Sequence, residues 1–154
     1  RDGYKKISSG QLIALGDEFS FQAGHEKLTP LESIFSLGKD NEVPDGQIRV
    51  QVDDDKIKIL ASDKTYSSIH ELRHGPSGKA VLLNSIFLPA LMEVLSILKN
   101  PDESIKEKKW YRAINAKCEH LGINPENGEI LQDAQTLFKS PFLKIQKQSS
   151  EITS

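Results

Sequence analysis

With 154 residues, 37% hydrophobic and 27% charged, the chain has the length of a single domain and the composition of a globular one. Its 20 basic and 22 acidic residues leave a net charge of -2, without the basic excess that phosphate neutralisation requires, so nucleic acid is not an expected partner. One cysteine, Cys118, excludes an intramolecular disulfide and a cysteine-based zinc cluster, and fits a reducing, cytoplasmic setting.

The chain starts at Arg1 and shows no charged segment followed by an apolar one, so no signal peptide is expected; a fragment of a larger protein fits this start. Residues 1–10 read as a polar entry segment. Gln11 to Leu15 is a short apolar run, Gly16-Asp17 a turn, and Phe19, Phe21 and Ala23 alternate with polar residues as a half-buried strand does. After His25-Glu26-Lys27 and Thr29-Pro30, the bulky run Leu31 to Leu37 is also expected as strand.

A hairpin is the clearest local element. Ile48, Val50 and Val52 alternate with polar neighbours, Asp53-Asp54-Asp55 intervenes, and Ile57 and Ile59 resume the alternation. The three aspartates lack the mid-loop glycine and closing glutamate of a calcium loop, so a solvated turn is expected. Asp63 is placed to cap a helix over Lys64 to His74 that Gly75-Pro76 ends.

Ala80 to Leu98 is the one long apolar run. Its length approaches that of a membrane span, but Ser85, Pro89, Glu93, Ser96 and Asn100 recur at helical spacing as one polar stripe, which predicts a core helix and no membrane crossing. Pro89 permits two readings: a kinked continuous helix, or, slightly favoured, a strand over Val81 to Leu88 followed by a helix that Pro89 starts.

Further on, Asn100-Pro101-Asp102 breaks the chain, Ser104 is placed to cap a helix carrying Ile105, Trp110, Ile114, Cys118 or Lys117, and Leu121 on one face, and Gly122 stops it. Asn124-Pro125 starts a final helical segment with Ile130, Leu131, Ala134, Leu137 and Phe138 at helical spacing, closed by Ser140-Pro141. These elements predict an α+β domain over 1–145, β-rich and antiparallel from 11 to 61 and helical from 64 to 138, built around segment 80–98. Gln146 to Ser154 reads as a disordered tail.

His70-Glu71-Leu72-Arg73-His74 carries the one chemical motif. In H-E-x-x-H on a helix, two imidazoles four residues apart share a face and can chelate zinc, while the glutamate activates a metal-bound water. The segment resembles the zincin metallopeptidases over these five residues. The resemblance implies His70 and His74 as zinc ligands and Glu71 as the catalytic base, with Glu93, nineteen residues past His74, as third ligand; His120 and His25 are alternatives. The plainer expectation is a surface helix with Ile69 and Leu72 inward and the motif's polar side chains in solvent.

No other constellation competes. Cys118 and His120, two apart on one helix, face different ways, and neither a G-x-S-x-G elbow nor a phosphate-binding glycine loop occurs. The leading expectation is therefore a non-enzymatic interaction or assembly module without a cofactor, part of a larger cytoplasmic protein or complex. It would bind a protein partner or a second copy of itself through an apolar patch at Trp110 and Tyr111.

Overall fold

A computed structural model describes residues 31–153, and they form an α+β fold. The expected entry segment, the run Gln11–Leu15, the strand at Phe19–Ala23 and His25 lie outside the described residues.

The first described element is a 3-10 turn, Leu31–Ile34, not strand; it runs directly into β1, Phe35–Lys39. β2 (Arg49–Gln51) and β3 (Ile57–Ala61) pair antiparallel as the hairpin predicted. The sheet order is β1-β3-β2, and β1 runs parallel to β3. The sheet is therefore mixed, not antiparallel throughout. With β2 already on one edge of β3, loop 40–48 carries the chain across from β1 on the other. Ile57, Ile59 and Ala61, alternate residues of the central strand, are buried beneath the helices.

Loop 40–48 also holds the start of α1, Asp63–His74. Ser62, rather than Asp63, is the N-cap: its hydroxyl accepts from the Thr65 amide at 3.3 Å and donates to Asp45 at 2.6 Å. Asn41 accepts from the Asp63 amide, and the Gly46 amide donates to the Thr65 hydroxyl. Gly46 sits at φ +80°, a left-handed conformation that glycine adopts without steric cost.

Residues 78–97 form one helix. It comprises α2 (Gly78–Leu82), a π-helical turn (Leu83–Phe87) and α3 (Leu88–Ile97), so the strand expected over 81–88 does not form. Pro89 has no N–H to donate, and its ring crowds the carbonyl four residues back. The wider turn just before it, closed by the Leu88 amide on the Leu83 carbonyl, lets the helix continue through the proline. Ser85, Pro89, Glu93, Ser96 and Asn100 are all exposed, as their spacing predicted. Leu82, Leu83, Leu91, Val94, Leu95 and Leu98 are buried opposite them, and α3 packs on α6. The helix is long and apolar enough to cross a membrane by length and composition alone.

A short α4 (Glu103–Lys106) precedes α5 (Lys109–Leu121). Asp102, not Ser104, caps α4: its carboxylate accepts from the Ile105 amide and the Ser104 hydroxyl, which hold its pKa below the usual carboxylate value. The start of α5 is served from the hairpin turn, where Asp55 accepts from the Lys109 amide at 3.1 Å. Trp110 is 0% exposed, and its Nε1 donates to the Val52 carbonyl at 3.1 Å, joining α5 to the hairpin. Gly122, at φ +73°, ends α5 as predicted, although Leu121 is exposed instead of inward.

α6 spans Ile130–Leu137; residues 124–129, from which a helical start was expected, form a turn ahead of it. Ala134, Leu137 and Phe138 enter the core, which also gathers Leu31, Ile34 and Phe35. Phe35 meets Phe87 edge-on at 5.5 Å. Lys139 and Ser140 take left-handed conformations (φ 60° and 56°), reversing the chain into α7, Phe142–Thr153. Residues 146–153 are thus helical, where the polar composition predicted a disordered tail.

Candidate functional site

The H-E-x-x-H motif occupies the last turns of α1. Only Ile69 of this helix is buried; Leu72, expected to face inward, is exposed along with His70, Glu71, Arg73 and His74. The inner side of α1 rests on α2 and the sheet. The close approach to α2 is made at Gly78, where an added Cβ would lie 1.7 Å from the Leu72 carbonyl oxygen.

On the outer side the aromatic rings form a column. Tyr66 lies parallel to His70, with centroids 6.5 Å apart, and His70 lies 4.6 Å from His74 at a 57° tilt. Lys39 stands 5.1 Å over the Tyr66 ring and 3.5 Å from the Asp63 carboxylate. His74 Nδ1 lies 2.8 Å from the His70 carbonyl oxygen. Since a carbonyl only accepts, this nitrogen carries the hydrogen.

The helix thus brings His70 and His74 together as the spacing predicted. Among the described residues no group of three or more His, Cys, Asp and Glu gathers to hold a metal. Glu93, named as third ligand, lies on the exposed stripe of α3, the part of the apolar helix that packs on α6. His120 is exposed near the end of α5. Beside Glu71, a hollow of about 370 Å³ opens between α1 and α2, lined by Ser68, Leu72, Gly75, Pro76 and Ser77. It is a surface depression with no convergent charged groups.

The interaction residues named from sequence separate. Trp110 is core, and Tyr111 beside it is half-buried. Exposed apolar surface lies instead at the start of α7, where Phe142 and Leu143 are 58% and 60% exposed. They border a second hollow of about 270 Å³ with Gln135, Ser140, Pro141 and Gln146. Ser140-Pro141 accounts for their exposure: Pro141 is the side chain the turn buries, and its carbonyl accepts from Asn84 Nδ2 at 3.0 Å, which leaves the next two residues outside.

Cys118 is buried, and burial pushes its thiol up to about 11 with a smaller push from Asp133, so little thiolate forms near neutral pH and the group is not a nucleophile there. The Asp53–Asp55 turn is exposed, with Asp54 paired to Lys58 at 2.7 Å and Asp55 occupied with α5. No family model, curated protein or solved structure matches the chain.

Proposed function

We propose that this chain is a non-enzymatic interaction or assembly module, acting within a larger cytoplasmic protein or complex. The observation that carries the reading is the adjacent exposed pair Phe142 and Leu143, held at the rim of a hollow by a turn with two non-glycine residues at positive φ. Large apolar side chains cost solvation free energy when left in water, and a partner that covers the exposed parts of both recovers roughly 1 to 2 kcal/mol from each. A protein surface or a second copy of this chain that offers an apolar side chain between two polar ones matches the hollow, whose rim carries Gln135 and Gln146.

The test is sedimentation and cross-linking of the full chain at high concentration, and in extract, against the double variant Phe142→Asp/Leu143→Asp. Self-association or a cross-linked partner that the double variant loses is expected. A strictly monomeric chain with no cross-linked partner overturns the reading.

A second reading, a zinc-dependent metallohydrolase with Glu71 as base and His70 and His74 as ligands, is favoured by one observation, the adjacent imidazoles on one helix face. It requires a third protein ligand. Stoichiometric zinc with peptide hydrolysis that Glu71→Gln abolishes would support it, and absence of hydrolysis from zinc-loaded protein would end it.

A further inference from the structure

We infer that His70 and His74 form a two-point chelate for a borderline divalent transition-metal ion, zinc(II) or nickel(II), held through their Nε2 atoms on the outer face of α1. Three observations converge. The rings lie 4.6 Å apart by centroid on one exposed helix face, within the span that a single ion can bridge. The hydrogen bond from His74 Nδ1 to the His70 carbonyl places the hydrogen on Nδ1, so the neutral ring carries its lone pair on Nε2. Histidines that bind metals are oriented in this way, by donating the other ring N–H to a fixed acceptor. Tyr66, parallel to His70 at 6.5 Å, backs the first ring on the side away from His74.

The remaining coordination positions fall to water, since no third His, Cys, Asp or Glu gathers with the pair among the described residues. This site is independent of the assembly reading, which rests on α7. It differs from the hydrolase reading in requiring neither a third protein ligand nor Glu71. Imidazole nitrogens favour nickel and zinc over the hard cations magnesium and calcium, so the pair discriminates between those classes.

The experiment is calorimetric titration of the full chain with zinc(II), nickel(II) and magnesium(II) chlorides in a non-coordinating buffer at neutral pH. One zinc or nickel per chain and no magnesium uptake are expected. His70→Ala and His74→Ala should each weaken binding by roughly 100-fold, the loss of an intramolecular second ligand. Circular dichroism should be unchanged because both side chains are exposed. Glu93→Gln, His25→Ala and His120→Ala should bind as the parent does. Nitrogen NMR of the histidines should show the metal-induced shift at Nε2 of residues 70 and 74. Binding that survives the double His70→Ala/His74→Ala variant, or binding lost in any of the three control variants, overturns the two-point chelate.

Discussion

Helices α1 and α5 have nearly the same length, twelve and thirteen residues, and differ in how they are held. α5 sends Trp110, Ile114 and Cys118 into the main core, buries Lys117 as well, and presents Lys109, Arg112 and Glu119 to solvent. α1 buries Ile69 alone, in a small cluster with Ala61 and Leu82, and depends on its capped N-terminus and its close approach to α2. A helix whose apolar side chains are committed to packing has few positions left for chemistry. One held by backbone geometry keeps most of its circumference free, and that is where both adjacent histidines stand.

The contrast breaks hardest at Trp110. Trp110→Ala removes the largest fully buried side chain and leaves the Val52 carbonyl without its donor, so a loss of roughly 3 to 5 kcal/mol is expected in denaturant unfolding. A loss below about 1 kcal/mol would place the tryptophan outside the cooperative core.

Gly78→Ala tests the other helix. Its methyl would collide with the Leu72 backbone, so α1 must move off α2 at a cost of about 1 to 3 kcal/mol. Amide exchange should accelerate in α1 and α2 while α5 keeps its protection; uniform loosening would show that α1 has no separate stability.

The smallest effect is expected at Ser62→Ala. Losing this N-cap should cost about 1 kcal/mol, with fraying confined to the first turn of α1. An unchanged midpoint of unfolding would mean that loop 40–48 holds the helix start without the hydroxyl.

Patterns of period two and 3.6 made much of this legible before any coordinates. The hairpin of β2 and β3, the Gly122 stop, the polar stripe Ser85–Asn100 and the inward Ala134, Leu137 and Phe138 of α6 were legible in this way, although Leu131, expected on the same face, is exposed. The caps were each misplaced by a residue or two, Ser62 for Asp63 and Asp102 for Ser104. Several side chains near a helix start can reach the same free amides, and the backbone outside the helix chooses among them.

The candidate site divides in the same way. Adjacency of His70 and His74 is a consequence of helical spacing and needed no tertiary information. Whether Glu93 joined them depended on which helix the apolar segment packed against, and it packs its α3 part on α6.

Local order in the chain therefore determined the α+β class, the core helix and the paired imidazoles, since each depends on side chains a few positions apart. Long-range packing settled the rest. It joined β1 parallel to β3, carried the apolar helix unbroken through Pro89 by a π-helical turn, and sank Trp110 beneath the hairpin. It also left Phe142 and Leu143 in solvent. Those outcomes compare free energies between distant segments, and no window of a few residues contains both sides of that comparison.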